Sequence, residues 1–273
     1  MKNLENKVVV LTGAASGIGR ATALAFAKQG ARLHLVDIDG PGLEPVLAEV
    51  GSTATAHVVD CSQSDAMLRL AADVYDEDGR TDVLINNAGV CCGGPVEKIS
   101  LEDWRWITAV NYWGVVNGVH AFVPRMIEQG GGHIVNTASM AGLVGLPYVA
   151  PYCATKFAVV GLSEALSVEL AFHDIHVTVI CPGAVRTGVM QNARLALPGE
   201  WRDRLISGLD KRAADPDKIA RKILNAVKRR RSFVIIGGEM RPLWMLRSLS
   251  VGLYQSVARY FTTRALRKSG QRP

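Results

Sequence analysis

The chain has 273 residues, of which 48% are hydrophobic and 21% are charged. These fractions exclude a disordered or collagen-like protein and leave room for one large α/β domain. No apolar run reaches the roughly 18 residues of a membrane-spanning helix, and the first seven residues lack the apolar segment of a signal peptide. The five cysteines show no zinc-ligand spacing, so we expect reduced thiols, no metal and a cytoplasmic protein.

The net charge of +6 is unevenly distributed. Residues 1–217 contain 17 Lys and Arg against 24 Asp and Glu, a balance of −7, whereas residues 218–273 contain 14 against Glu239 alone, a balance of +13. Because the basic residues cluster in one short part of the chain, nucleic-acid binding is not expected. The distribution is also consistent with a basic, apolar tail that lies on an acidic or membrane surface.

Short apolar runs alternate with stretches of helical periodicity. The predicted strands are Val8–Thr12, Arg32–Val36, Ala56–Val59, Val83–Ile85, His133–Thr137, Val177–Ile180 and Phe233–Ile236. The predicted helices are Ile18–Gln29, Gln63–Asp76, Leu101–Glu128, Tyr152–Ala171 and Asp217–Lys228. This alternation indicates an α/β fold with helices on both faces of a parallel sheet. Right-handed crossovers then give a single-domain, Rossmann-like, doubly wound sheet of about seven strands.

A glycine-rich turn joins the first predicted strand to the first predicted helix, and it reads Thr12-Gly13-Ala14-Ala15-Ser16-Gly17-Ile18-Gly19. Glycine lets the backbone approach a ligand closely or adopt a positive φ. The helix N-terminus behind the turn offers free N–H groups and the positive end of the helix dipole to a pyrophosphate. The turn therefore predicts a dinucleotide site, although a plain strand-to-helix turn can contain the same residues.

Asp37 follows the second predicted strand, 18 residues after Gly19. In a dinucleotide-binding fold an acid at this place binds the ribose hydroxyls of the adenosine. It also repels a 2′-phosphate, since two like charges about 4 Å apart cost about 4 kcal/mol at an effective dielectric near 20. Ser16 and Ile38 stand where a basic residue would favour that phosphate. The sequence thus favours NAD over NADP, the alternative being that Asp37 is a solvated turn residue.

Tyr152 and Lys156 lie four residues apart on a predicted helix and therefore share one face. A phenol with a pKa of about 10 is a poor base at neutral pH, and a neighbouring ammonium favours the phenolate. A shift of the pKa to about 7 requires roughly 4 kcal/mol of differential stabilisation. A Tyr and a Lys four residues apart on a helix are common by chance, so this spacing without further motifs is weak evidence for a catalytic pair.

With the other motifs, the chain resembles the classical short-chain dehydrogenase/reductase family over residues 6–237. The matching residues, in chain order, are the turn from Thr12 to Gly19, then Asp60, Asn86-Asn87-Ala88-Gly89, Asn111, Ser139, Tyr152, Lys156, Pro182-Gly183 and Thr187. Ser139 precedes Tyr152 by 13 residues, as is usual in this family. So many separate motifs in one order argue against a chance match.

The resemblance implies an oxidoreductase that moves a hydride to or from a nicotinamide dinucleotide. It implies that Tyr152 is the general acid/base, that Ser139 positions the substrate oxygen, and that Lys156 holds the nicotinamide ribose and lowers the pKa of Tyr152. Asn111 would carry a water that connects Lys156 to solvent as a proton relay.

The resemblance also implies which residues contact the cofactor, which we expect to be NAD. Those expected near the pyrophosphate and the adenosine ribose are Gly13, Ser16, Gly17, Ile18, Gly19 and Asp37. Those expected to border the adenosine are Asp60, Cys61, Asn87, Ala88 and Gly89. Those expected near the nicotinamide half are Tyr152, Lys156, Pro182, Gly183, Val185 and Thr187.

The substrate pocket is expected outside the carboxyl ends of the strands, between residues 90–95, 140–151 and a substrate loop at about 184–215. Residues 140–151 contain no charged residue, and the loop adds apolar side chains that include Trp201 and Leu205. Cys91 and Cys92 are expected at the pocket mouth. Such a lining favours a steroid-, terpenoid-, retinoid- or fatty-type secondary alcohol or ketone. The same apolar residues are equally consistent with core packing.

Residues 238–273 form an extension beyond the last predicted strand. Its apolar residues recur at nearly helical spacing, with arginines between them: Leu243, Trp244, Leu246, Leu249, Leu253, Tyr254, Val257 and Phe261. This pattern predicts one or two basic amphipathic helices. They would either touch a membrane at its periphery, or pack on a neighbouring subunit or over the pocket.

Three functions follow from these observations. The first is an NAD-dependent oxidoreductase acting on a hydrophobic secondary alcohol or ketone, and the second is an NADPH-dependent biosynthetic ketoreductase. The third is a non-catalytic nucleotide-sensing or membrane-docking protein on the same fold, against which Ser139, Tyr152 and Lys156 argue. The family resemblance further implies a homotetramer or homodimer, joined through the helices that hold Asn111 and Tyr152.

Overall fold

The computed structural model describes residues 1–197, 199, 207, 213–237 and 240–268. A seven-stranded parallel sheet lies at its centre. Its strands are β1 (Val8–Thr12), β2 (Arg32–Asp37), β3 (Ala54–Val58), β4 (Val83–Asn86), β6 (Gly132–Thr137), β7 (Ile175–Pro182) and β9 (Phe233–Ile236). They lie side by side in the order β3-β2-β1-β4-β6-β7-β9. A separate pair is formed by β5 (Cys92–Gly93) and β8 (Arg194–Leu195). The predicted Rossmann-like, doubly wound sheet is confirmed.

The helices alternate with these strands. They are α1 (Gly17–Ala27), α2 (Gly40–Val50), α3 (Ser64–Asp78), α4 (Leu101–Thr108), α5 (Gly114–Glu128), α6 (Ala150–Glu169), α7 (Pro216–Arg229), α8 (Arg241–Leu249) and α9 (Val251–Lys268). A π-turn at Ala109–Trp113 joins α4 to α5, so the helix predicted over Leu101–Glu128 contains one wider turn.

Helix α2 was not predicted, because Gly40, Pro41 and Gly42 resemble a turn. In the structure the carboxylate of Asp39 accepts a hydrogen bond from the N–H of Gly42 at 3.0 Å and so caps the helix. Proline is tolerated in the first helical turn, where its missing N–H has no intrahelical partner. The side-chain cap therefore overrides the local turn signal.

Strand β1 is buried on both faces of the sheet. Val9 and Leu11 point into a core shared with α1 and α7, while Val8 and Val10 point into a second core shared with α3 and α5. Successive side chains of a strand alternate between the faces, so an unbroken apolar run fits a strand covered by helices on both sides.

The parallel register brings several loops to one edge of the sheet. Thr12 at the end of β1 pairs with Val36 of β2, and Leu11 pairs with Ile85 of β4. The glycine turn after β1, Asp37 at the end of β2 and Asn87 after β4 therefore lie together. This is the crevice where such sheets bind their ligands, because the strand order reverses between β1 and β4.

The C-terminal extension folds back onto the domain as α8 and α9. Trp244 packs against the core beneath α6 and stacks on Phe233 of β9, with ring centroids 6.4 Å apart. The guanidinium of Arg247 lies 5.0 Å from the ring centroid of Phe157 on α6. In the part of the chain that the structure describes, we find no helix long and apolar enough to cross a bilayer.

Candidate active site

The glycine turn is held tightly between two other loops. Gly13 and Gly17 have φ angles of +68° and +53°, in the region that side chains rarely adopt. A Cβ atom on Gly17 would lie 2.8 Å from Cγ2 of Thr187, and one on Gly13 would lie 2.8 Å from Cα of Ala88. Only glycine therefore allows the loops that follow β4 and β7 to approach the turn so closely.

The N-terminus of α1 is suited to an anion. Ser16 precedes the helix with an extended backbone, and its side chain makes no capping hydrogen bond. The first N–H groups of a helix have no intrahelical partner, so they stay available to a phosphate. An open cleft of about 440 Å³ lies beside this end, and Gly17, Arg186 and Thr187 belong to its lining. The residues present thus fit the pyrophosphate of a dinucleotide.

Asp37 lies against the glycine turn and is half-buried. One carboxylate oxygen accepts a hydrogen bond from the N–H of Ala15 at 2.9 Å, and the other accepts one from the N–H of Asp39 at 3.0 Å. The acid is therefore fixed at the carboxyl end of β2 and is not a fully solvated turn residue.

Asn87 braces the turn from the side of β4. Its amide donates to the carbonyls of Thr12 and Gly13 at 3.1 and 3.2 Å. In return, the hydroxyl of Thr12 accepts hydrogen bonds from the N–H groups of Asn87 and Ala88 at 3.0 and 3.1 Å. Thr12 was not predicted as a site residue, although it opens the glycine motif. The support that its hydroxyl gives to the turn depends on Asn87, which lies 75 residues away in the sequence.

The side chain of Cys61 belongs to the core. Its sulfur faces α5, since a Cβ on Gly114 would lie only 2.8 Å from it, and its carbonyl accepts a hydrogen bond from Asn117 at 2.9 Å. Burial raises the pKa of the Cys61 thiol to about 12. Of Asp60 and Cys61, both expected to border the adenosine, the half-buried Asp60 keeps an accessible side chain.

Ser139 and Tyr152 are brought into contact. Ser139 follows β6, where its hydroxyl accepts from the N–H of Ala141 at 3.1 Å and donates to the carbonyl of Pro182 at 3.4 Å. Tyr152 lies in the first turn of α6, and the Ser139 hydroxyl lies near enough to its phenol to lower the pKa of that phenol. Two oxygen atoms from distant segments thus form one polar centre.

Lys156 lies one helical turn further along α6 and is almost completely buried. Its Nζ donates to the carbonyl of Thr137 at 2.9 Å and lies 5.8 Å from the ring centroid of Tyr152. Gly89 comes close as well, because a Cβ there would lie 3.4 Å from Nζ. Burial lowers the pKa of Lys156 to about 8. An ammonium has three donors, so two are left for ribose hydroxyls.

The pKa of Tyr152 differs from the prediction. Burial raises it above its ordinary value of about 10, the nearby Cys91 thiol raises it further, and the hydrogen bond from Ser139 opposes both. The physical reason is an apolar environment, since Tyr152 packs against the buried cluster of Cys92, Ile99 and Ile107. In the chain by itself, desolvation is the largest cause of the shift.

Asn111 occupies the π-turn between α4 and α5 and is completely buried. Its carboxamide oxygen accepts from the N–H of Val90 at 2.8 Å, and its nitrogen donates to the carbonyl of Val90 at 2.9 Å and to Thr155 at 3.3 Å. The side chain therefore braces the loop after β4, and the water relay at Asn111 stays a prediction. Wider π-turns often occur at functional sites.

On the nicotinamide side, the predicted residues lie along one edge of the site. The carbonyl of Pro182 contacts Ser139, and the N–H of Gly183 donates to the carbonyl of Ile236 at 2.7 Å. Val185 pairs with Ala214, and Thr187 reaches the glycine turn. The segment after β7 therefore runs from Ser139 to the turn.

The expected substrate lining divides into two parts. Residues 140–144 are buried and belong to the core, whereas residues 145–150 are half-buried or exposed. Cys91 and Cys92 are free thiols, only 3% and 1% exposed, so they do not form the pocket mouth. Trp201 and Leu205 lie outside the described residues. The core interpretation thus holds for residues 140–144, and the pocket interpretation of residues 145–150 stays a prediction.

The start of the substrate loop is fastened to α4. Arg194 donates to Asp103 at 3.0 Å, and its guanidinium lies 4.0 Å from the ring centroid of Trp106. The pairing of β8 with β5 adds main-chain bonds. This segment is therefore linked through Trp106 to the small core against which Tyr152 also packs.

The family model for short chain dehydrogenases matches residues 7–197, which include the glycine turn and the three residues Ser139, Tyr152 and Lys156. The chain belongs to the short-chain dehydrogenase/reductase family and is an oxidoreductase of this type.

Relatives match most of the chain. It is 38% identical to SadH of Mycobacterium tuberculosis over 273 residues, which cover 96% of this chain and 99% of SadH. It is 42% identical to D-threitol dehydrogenase of Mycolicibacterium smegmatis over 220 residues, covering 80% of this chain and 84% of that enzyme. A crystal structure of a Burkholderia phymatum short-chain dehydrogenase/reductase in complex with NAD has a TM-score of 0.87 and 31% identity, covering 93% and 96% of the two chains.

Proposed function

We propose that this chain is an NAD-dependent enzyme that transfers a hydride between NAD(H) and a lipophilic secondary alcohol or ketone. One observation carries the proposal. The neighbouring hydroxyls of Ser139 and Tyr152 lie beside the buried amine of Lys156, at the same sheet edge as the glycine turn.

When bound, the dinucleotide supplies the hydride acceptor or donor. In reduction, the neutral phenol of Tyr152 donates its proton to the substrate oxygen, and burial keeps that phenol protonated. Ser139 donates a hydrogen bond to the same oxygen. In oxidation, the phenolate of Tyr152, stabilised by the Lys156 ammonium, accepts the proton from the alcohol and becomes the neutral phenol. Lys156 also binds the ribose hydroxyls through the donors that Thr137 leaves free.

Asp37 supports NAD as the cofactor. Its carboxylate is fixed beside the turn by Ala15, and neither Ser16 nor Ile38 supplies a cation for a 2′-phosphate. The Burkholderia phymatum neighbour was crystallised with NAD. The alternative is an NADPH-dependent ketoreductase, and tighter binding of NADPH than of NADH in a fluorescence titration would favour it.

The surroundings of Tyr152 support a lipophilic substrate of steroid, terpenoid, retinoid or fatty type. Val90, Trp104 and Trp106 pack around the same small core as the phenol, and residues 145–150 are uncharged. A polyol such as D-threitol, which the Mycolicibacterium smegmatis relative is named for, needs several hydroxyl partners. The described lining offers mainly apolar side chains instead.

A screen of hydrophobic secondary alcohols and ketones, read at the nicotinamide absorbance, tests this function, with D-threitol as the polyol comparison. On any substrate found, Tyr152→Phe should lower kcat by about 10²- to 10⁴-fold because the proton donor is lost. NAD affinity should change far less than kcat. Tyr75→Phe, which removes a phenol bonded to Gln129, is the control. Unchanged turnover in Tyr152→Phe would contradict the assignment of Tyr152 as the general acid/base. The absence of turnover with every compound of the screen would favour a non-catalytic nucleotide-binding role.

A further inference from the structure

Exposed apolar side chains are concentrated on the extension. Of the 17 large hydrophobic residues exposed in the described part of the chain, six lie on α8 and α9: Met245, Leu249, Val251, Leu253, Tyr260 and Phe261. Their exposed fractions run from 52% to 85%. Grouped apolar surface of this kind marks a site of interaction, whereas isolated exposed residues need no explanation.

Helix α9 carries both exposed apolar residues and a residue that is fixed to the domain. Leu253, Val257, Tyr260 and Arg264 follow one another at intervals of four, three and four residues, so they form one stripe along the helix. Tyr254, next to this stripe, is buried, and its hydroxyl donates to the carbonyl of Gly145. Helix α9 is therefore fixed to the domain at Tyr254, while Leu253, Tyr260 and Phe261 stay exposed.

The extension also holds the net charge of the protein. Residues 238–273 contain seven Lys and Arg against Glu239, a net charge of +6, while residues 1–237 contain 24 basic and 24 acidic residues and are neutral. In the described residues, no carboxylate forms an ion pair with the arginines of α8 and α9, which are Arg241, Arg247, Arg259 and Arg264. Arg264 instead donates to the hydroxyl of Tyr260 at 3.1 Å.

We propose that α8 and α9 bind the surface of an anionic lipid bilayer. Leu253, Tyr260 and Phe261 would enter the headgroup region, and Arg259 and Arg264 would contact lipid phosphates. Unneutralised arginines beside exposed aromatic and aliphatic side chains are the composition of interfacial helices. A second copy is a poorer occupant, because a two-fold contact through this surface would bring two segments of +6 charge together.

The position of the bound membrane has a consequence for the substrate. Through Tyr254, α9 holds Gly145 in the uncharged segment that leads into Tyr152. A lipophilic molecule in the bilayer would thus lie on the same side of the protein as the proposed substrate pocket. This consequence rests on the proposed function, whereas the binding of lipid does not.

Co-sedimentation of the full chain with vesicles tests the proposal, using phosphatidylcholine alone and phosphatidylcholine mixed with phosphatidylglycerol. We expect binding to the mixed vesicles that weakens with salt. Arg259→Glu/Arg264→Glu should lower the partition constant at least about tenfold. Leu253→Gln/Phe261→Gln should lower it as well. The control is Arg221→Glu/Lys222→Glu, which makes the same change in net charge at two exposed positions on α7 and should retain binding.

Three results would overturn the proposal. They are no binding to the mixed vesicles, an equal loss in the α7 control, or a fall in the oligomeric mass of the extension variants while vesicle binding persists. The last result would assign the surface to a second copy. NAD titration on the same preparations tests the proposed function separately, and the variants should bind NAD like the unchanged protein.

Discussion

At the scale of single residues, burial controls the chemistry of the site. Tyr152 and Lys156 have raised and lowered pKa values respectively, and in both cases desolvation is the largest cause. Each group is therefore pushed towards its neutral form. Interactions with the carbonyl of Thr137 and the hydroxyl of Ser139 offset only part of this desolvation. A bound ligand would supply further polar partners to both side chains.

The first prediction concerns stability against pH. The pKa of Lys156 is about 8 in the fold and 10.5 ordinarily, so the unfolded chain binds more protons between these values and stability rises with pH there. Without dinucleotide, the free energy of unfolding of the unchanged protein minus that of Lys156→Met should rise by about 3 kcal/mol from about pH 8 to about pH 10.5. Urea unfolding across this window measures it, and Lys98→Met, at an exposed lysine, is the control. A difference that stays constant would show that the amine is not desolvated.

The second prediction concerns cofactor choice. Asp37→Ser/Ile38→Arg removes a repulsion of about 4 kcal/mol and adds a cation, so the ratio of NADP to NAD affinity should increase at least about tenfold. Asp39→Ser removes the same charge two residues later, where the carboxylate caps α2, and it should keep the original preference. Fluorescence titration with both cofactors gives the ratios. An unchanged ratio in the double variant would remove Asp37 as the specificity residue.

At the scale of elements, the site is built from turns that depend on other segments. The glycine turn is shaped by the loops after β4 and β7, and the π-turn places Asn111 against Val90. Helix α6 supplies both Tyr152 and Lys156. It packs closely on Gly142, since a Cβ atom on that glycine would lie only 2.5 Å from the carbonyl oxygen of Lys156. Each of these elements is therefore positioned by a contact with a distant segment, and its own sequence pattern does not predict that contact.

The third prediction tests the glycine turn. Gly17→Ala introduces a Cβ at 2.8 Å from Thr187 and at positive φ, so it should weaken NAD binding at least about tenfold by displacing the turn or the loop after β7. Gly79→Ala is a matched control, since its φ is +69° with nothing within 4 Å of the added atom. That variant should lose a little stability and keep NAD affinity. Calorimetric titration decides, and equal affinity in both variants would show that the approach of Thr187 to the turn is unimportant.

At the scale of the whole molecule, exposed apolar residues also lie on the helices that hold the site. Trp113, Val168 and Phe172 are 51%, 71% and 92% exposed, on the π-turn, on α6 and on the 3₁₀ turn that follows it. These side chains support the proposal of a homo-oligomer joined through these helices.

The fourth prediction follows from this surface. Val168→Glu/Phe172→Glu places charges in the proposed interface and should lower the mass found by light scattering to that of a smaller assembly. Leu68→Glu, at an exposed position on α3, is the control and should leave the mass unchanged. If the double variant keeps the original mass, the subunits meet elsewhere.

Most of the fold was predictable because its signals are local. The seven strands of the sheet are short apolar runs that glycine, charge or helical periodicity interrupts, and each was predicted within two residues at either end. Helix α2 was missed because Gly40, Pro41 and Gly42 suggest a turn, and the cap from Asp39 becomes decisive only once the backbone has folded. The fixed spacing within the glycine turn and between Tyr152 and Lys156 likewise indicated the site.

The sequence by itself therefore determined the strand and helix order, the dinucleotide-type turn and the family motifs, since each depends on residues a few positions apart. Tertiary structure alone decided that the sulfur of Cys61 faces the core, that the amide of Asn111 binds Val90, and that burial raises the pKa of Tyr152. It also decided that Tyr254 fixes α9 at Gly145 while Leu253, Tyr260 and Phe261 stay exposed. Desolvation and long-range hydrogen bonds depend on which distant segments meet, and no local pattern encodes that.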